Sequence, residues 1–147
     1  MLYNIFIIIM SLGTIYNLIK RTELMYHAKV TVSNYISIGI MIIALLYLNI
    51  YVLDYNLMNY LASITMILFT YSGMISRGFN RRGIYNTSFI TFLAKFSPWK
   101  DVKNIDIEYN ADNYIDIVVA TDLRAFRQRY KEENEETIRK IKKDLKI

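Results

Sequence analysis

The stretch LMNYLASITMILFTYSGMI, residues 57 to 75, contains no charged residue and is closed by Arg77, Arg81 and Arg82. An uncharged run of this kind reads as a membrane-spanning helix, and the arginines after it as the polar boundary of the bilayer. Before it the chain is a succession of hydrophobic runs; after it, apolar residues alternate with charges. The expected division is a transmembrane region over residues 1–76 and a small aqueous domain over residues 77–147.

Working back from this span, Leu2 to Ile19 is an uncharged run of 18 residues, about 27 Å long as a helix and near the hydrocarbon thickness. No basic segment precedes it, and Lys20 and Arg21 stand where a small-residue cleavage site would be. It therefore reads as an anchor over residues 2–19 rather than a signal peptide. Arg21 to Val30 is a polar connection, and residues 35–53 give the next span. Asp54-Tyr55-Asn56 leaves room only for a tight turn, so the spans over 35–53 and 57–75 form an antiparallel hairpin. Three crossings put Lys20, Arg21 and Lys29 on the same side as Arg77, Arg81 and Arg82. Because Lys and Arg near a span are retained inside, the expected location is the inner cell membrane, with the N-terminus outside and the C-terminal domain cytoplasmic. A two-span arrangement, with the first run cleaved or interfacial, leaves that domain on the same face.

Hydrophobic residues make up 54% of the 147 residues, concentrated in the first half. Up to Ser76 three basic residues stand against two acidic; from Arg77 onward fifteen stand against eleven, so most of the net +5 belongs to the aqueous half. A basic domain beside a bilayer fits anionic lipid headgroups, which attract each Lys or Arg by about 1 kcal/mol. No nucleic-acid motif accompanies the charge, so no nucleic acid is expected as a partner. The lack of cysteine excludes disulfides, thiolate metal sites and cysteine nucleophiles. The abundance of Ile, Asn, Lys and Tyr points to an AT-rich, bacterial coding sequence.

Within the span over 57–75, Asn59, Ala62, Ser63, Met66, Thr70 and Gly73 fall on one helical face. Small and polar residues let helices approach closely and bond to one another. The second span offers Asn34, Ser37 and Ala44 as partners, and the first Asn4 and Ser11. This face packs helices within the chain or meets another membrane protein, including a second copy in a homo-oligomer. No span contains an acidic, basic or histidine residue, which argues against an ion or proton pathway. His27 lies in the polar connection without a second histidine nearby, so no metal role is expected.

In the aqueous half, Gly83 to Asn86 reads as a short strand and Ser88 to Lys95 as a longer one, stopped by Pro98. Ile105, Ile107 and Tyr109 alternate with Asp106 and Glu108, and Ile115, Ile117 and Val119 alternate in the next strand, with turn residues at 110–113 between them. Arg124 to Lys131 places Phe126 and Tyr130 on one face and Arg127, Arg129 and Lys131 on the other. A final helix is capped by Asn134, has Glu135 and Glu136 at its start and Lys142, Lys143 and Lys146 at its end, and buries Ile138, Ile141 and Leu145. The expected fold is three transmembrane helices followed by a small α+β domain of about five antiparallel strands in meander order and one C-terminal helix.

Arg82-Gly83-Ile84, Ser97 to Lys103 with Trp99 and Asp101, Phe126 to Lys131 and the Glu- and Lys-rich terminal helix together resemble uncharacterised bacterial membrane proteins carrying a C-terminal PH-like domain. The resemblance covers roughly the last 65 residues. It implies a bent sheet plugged by the terminal helix, and it supplies no catalytic residues. The stretch has room for about five strands where such domains have seven.

Arg127, Arg129 and Lys131, with Arg139, Lys142 and Lys146 on one helical face, are the candidate contacts for anionic lipid or an acidic partner; the other reading is a solvated face that protects a strand edge. Trp99 is a recognition residue, an interface anchor or a core residue. Asp106, Glu108, Asp112 and Asp116 lack a ligating loop. With no phosphate loop, nucleophile elbow or paired acid and histidine, neither catalysis nor a cofactor is expected. The expected function is a membrane-anchored interaction module binding a protein partner or anionic lipid. The alternative is a polytopic immunity or accessory protein whose spans recognise a toxin, peptide or transporter.

Overall fold

The computed structural model describes residues 2–53, 56–87, 92–110, 113–122 and 124–146. Among them, three helical segments are long and apolar enough to cross a membrane: α1 (Leu2–Thr22), α2 (Val32–Tyr47) together with the turn that extends it to Val52, and α3 (Leu57–Ile75). α1 runs on to include Lys20 and Arg21, whose charges suit the negative end of the helix dipole. α2 begins before the expected residue 35 and widens at its end into a π-helical turn, Leu48–Val52. That turn carries buried Asn49, whose Nδ2 donates to Leu45 O (2.7 Å) and Ser63 Oγ (2.8 Å). Asn56 caps α3 by accepting from Met58 N (3.0 Å); Asp54 and Tyr55 of the expected turn lie outside the described residues.

The small and polar face of α3 is filled from within the chain. Asn59, Ala62, Thr70 and Gly73 are buried, and Ser63 and Met66 half-buried. Ser63 meets Asn49, Thr70 donates to Met41 Sδ (3.7 Å), and Gly73 lies under the carbonyl of Phe92. The polar partners expected on the other helices are different ones. Asn4, Ser37 and Ala44 are exposed, whereas Asn17 of α1 is fully buried. Asn17 Nδ2 donates to Ser72 Oγ (3.1 Å), and its carbonyl accepts from Ser76 Oγ (2.7 Å). Asn17 stands close to Lys20, where a polar residue reads as an interfacial one.

The β part of the chain has seven strands among the described residues instead of five. β1 (Tyr26–His27), β2 (Gly78–Phe79), β3 (Gly83–Thr87) and β4 (Ala94–Pro98) form one antiparallel sheet in that order; β5 (Val102–Asn110), β6 (Tyr114–Thr121) and β7 (Ala125–Lys131) form another. β1 and β2 have two residues each, too few to show an alternation; only their pairing defines them. β1 comes from the connection between α1 and α2, so the cap draws on residues well before Arg77. Lys29 then continues past β1 to pair with Arg129 of β7, its N–H 2.7 Å from that carbonyl, which joins the two sheets on one side. On the other side a single 3-10 turn, Trp99–Asp101, leads from β4 into β5.

Both sheets close on one core: Phe79 and Ile84 from the first, Ile105, Ile115, Ile117, Val119 and Tyr130 from the second, and Ile138 of α4 (Glu135–Leu145). Ile141 and Leu145 pack against it, as the helical spacing requires. Three local expectations are corrected. The strand expected from Ser88 to Lys95 runs from Ala94 to Pro98, and Ser88 to Thr91 lie outside the described residues. Pro98 ends it opposite Gly83, which is tolerable because, among the described residues, β4 has a strand partner on one side only. Tyr109 is exposed rather than buried, its hydroxyl donating to Glu135 Oε1 (2.5 Å). Asn134 makes no side-chain cap, because a 3-10 turn at Glu132–Asn134 has already brought its backbone to helical angles (φ −89°, ψ −5°).

Candidate anion-binding cleft where the spans meet the sheets

Arg77 leaves the end of α3, and its carbonyl accepts from Ala28 N (2.9 Å), which ties the connection after β1 to the start of β2. Its guanidinium is oriented by two acceptors. Nε donates to Met74 O (2.9 Å), and Nη2 donates to Asn34 Oδ1 (2.5 Å), with that amide turned so that its oxygen also faces Thr31 N (3.2 Å). Burial lowers its pKa from the ordinary value, yet a guanidinium stays charged at neutral pH. Among the described residues no carboxylate forms an ion pair with it.

β7 brings two more cations to the same place. Arg129 grips Asp116 of β6 with Nε and Nη2 (2.7 and 2.9 Å), and this pairing holds the Asp116 carboxyl below its usual range despite its burial. Arg127 pairs with Glu108 (2.7 Å) at an exposed position, where the attraction contributes little. Lys29 sets its ammonium 3.5 Å from the centre of the Tyr114 ring. Gln128, between the two arginines, is buried and ties β7 to β3 by donating to Tyr85 O (2.7 Å). Tyr130 donates to the Gln128 side chain, and its burial raises the Tyr130 pKa.

Together with the first turn of α2, these groups surround a cleft of about 420 Å³. Its walls carry four cations, Lys29, Arg77, Arg127 and Arg129, against one carboxylate, Asp116. Thr31 enters α2 in an extended conformation without a side-chain cap, and the first turn holds no acidic residue. The positive end of the α2 dipole is therefore uncompensated by protein charge. Arginines with planar, forked donors beside such a helix end suit an oxyanion such as phosphate.

The basic residues singled out in the sequence divide into separate groups. Arg127 and Arg129 line the cleft. Lys131 lies 3.5 Å from Glu133. Arg139 bonds Glu135 (2.5 Å) and Tyr109, and Lys142 donates to Ile105 O (2.7 Å), so both serve to dock α4 along β5. Lys146 ends α4 in a left-handed conformation (φ 58°). The sequence pattern does not join Lys29, Arg77 or Asn34 to that set: the two charges read as markers of orientation and Asn34 as a helix-packing residue, and they come beside β7 through the Lys29–Arg129 bridge and the bond from Ala28 N to Arg77 O.

Trp99 packs against the core, its ring edge-on to Phe79 (6.1 Å) and its Nε1 donating to Asn80 O (3.0 Å). His27 is exposed on β1. Among the described residues no group of three or more acidic or histidine side chains is placed to hold a metal; Asp112 lies outside them. No protein-family model, curated protein or solved structure matches the chain.

Proposed function

We propose that the chain is an integral membrane protein whose PH-like cap binds anionic phospholipid headgroups at the cytoplasmic face, without catalysis. Sheets of four and three strands with a terminal helix support the PH-like reading, and the basic residues flanking the spans support the orientation. The observation that carries the lipid reading is Arg77. It is a half-buried cation one residue beyond the cap of a spanning helix, without an ion-pair partner among the described residues, facing a cleft that Arg127, Arg129 and the start of α2 also line. Lipid phosphates lie at that level of a bilayer.

The full chain, reconstituted in vesicles of zwitterionic lipid with a minor anionic fraction, tests this through the lipid retained on extraction. At about 1 kcal/mol per charge, Arg77→Gln and Arg127→Gln should each lower retention of the anionic lipid about fivefold. Lys131→Gln with Lys146→Gln removes two charges outside the cleft and should have a much smaller effect. Equal losses in both pairs would reduce the cleft to diffuse attraction; no loss in either would leave a protein as the remaining ligand. Partner recognition through α3 has less support, because Ala62, Thr70 and Gly73 are already buried within the chain.

A further inference from the structure

We propose that Phe92 and Leu93, just ahead of β4, enter the bilayer beside α1 and α3, making Leu93 a lipid-contacting residue and holding the cap at this point as well as by its helical tethers. The inference rests on α1 and α3 being spans, and its first support is depth. The Phe92 carbonyl oxygen lies 2.2 Å from where a Gly73 Cβ would be, and the Phe92 ring stands edge-on to Phe69 (6.2 Å). Gly73 and Phe69 precede the end of α3 at Ser76 by about 4 and 10 Å along the helix axis. On α1, Asn17 likewise lies about a turn inside Lys20.

Non-helical backbone at such a depth is tolerated only where protein groups satisfy it. Asn17 does so as a neighbouring strand would. Its Oδ1 accepts from Ala94 N (2.8 Å) and its Nδ2 donates to Phe92 O (2.9 Å), while Tyr16 OH donates to Ala94 O (3.3 Å). Asn17 is itself fully buried, so its amide is committed to this connection and to Ser72. The second support is chemistry. The sequence from Asn86 to Ala94 carries no charge, and Leu93 is exposed on an apolar groove shared with Ile9, Leu12 and Met66. Ile9 and Leu12 are 58% and 60% exposed on a spanning helix, so acyl chains cover them and reach Leu93 across the same groove.

The absence of cysteine makes the test direct. In vesicles, the full chain carrying Leu93→Cys is labelled with an environment-sensitive fluorophore and compared with Ile64→Cys on the lipid side of α3 and Asp122→Cys at an exposed position just after β6. The label at 93 should match the blue-shifted emission at 64, be quenched by spin labels on acyl chains and resist aqueous iodide. Emission and iodide quenching like those at 122 would overturn the proposal. Adding Asn17→Leu should move the label at 93 toward the behaviour at 122 while that at 64 stays unchanged. An unchanged signal at 93 would overturn the role given to Asn17. The first measurement leaves the clamp intact and stands whether or not the Asn17 variant accumulates.

Discussion

Gly73→Ala and Gly39→Ala add the same methyl group to two of the apolar helices, α3 and α2, and should shift stability in opposite directions. A Cβ at Gly73 would lie 2.2 Å from Phe92 O and 3.1 Å from its carbonyl carbon, backbone atoms that cannot rotate away. Relief requires Phe92 to lift from α3, which stretches the bonds from Asn17 to Phe92 O and Ala94 N. Overpacking costs about 1–3 kcal/mol, and each of the two bonds contributes about 0.6 kcal/mol in a membrane protein. Alanine is favoured over glycine in a helix by about 0.8–1 kcal/mol, so the net loss is about 1–3 kcal/mol. A Cβ at Gly39 meets nothing within 4 Å, leaving only the helix preference, a gain of about 0.5–1 kcal/mol. Reversible unfolding in mixed micelles with increasing denaturing detergent, followed by helical circular dichroism, measures both. If Gly73→Ala were as stable as the parent, the Phe92 carbonyl would not be seated on α3, and the proposed embedding of Phe92 and Leu93 would lose its main contact.

Two further outcomes are expected. Asp116 is held below its usual range by Arg129, so their pairing stabilises the fold fully above about pH 4, the unfolded carboxylate value, and is lost as pH falls through the depressed native one. Asp116→Asn should cost about 2–3 kcal/mol at pH 7 and flatten the decline in stability on acidification; parallel declines in unfolding followed by Trp99 fluorescence would refute the pairing. A cysteine placed at exposed Lys103 should react with an impermeant maleimide only after the cells are opened, and reaction in intact cells would reverse the proposed orientation.

The spans were legible because hydropathy and charge are sums over neighbouring residues: the uncharged run from Leu57 to Ile75 is α3 to the residue. β5, β6, β7 and α4 were legible because Ile105, Ile115, Ile117, Val119 and Ile138 recur at strand and helix periods and are all buried. Local pattern could not reveal β1 and β2, whose two-residue lengths leave no period to read. The candidate cleft was half visible. Arg127 and Arg129 stood out as a charged strand face, whereas Lys29, Arg77 and Asn34 join them only through the Lys29–Arg129 bridge and the turn from α3 into β2. Asn17 carries no local signal for a related reason: its role depends on Phe92 and Ala94, more than seventy residues away in the chain, which only the tertiary structure brings to it. Hydropathy, charge and periodicity alone determined which segments are long and apolar enough to cross a bilayer and which pack a core, since those preferences are local. Tertiary structure decided which cations converge and which carbonyls are satisfied, since those depend on pairings between residues far apart in the chain.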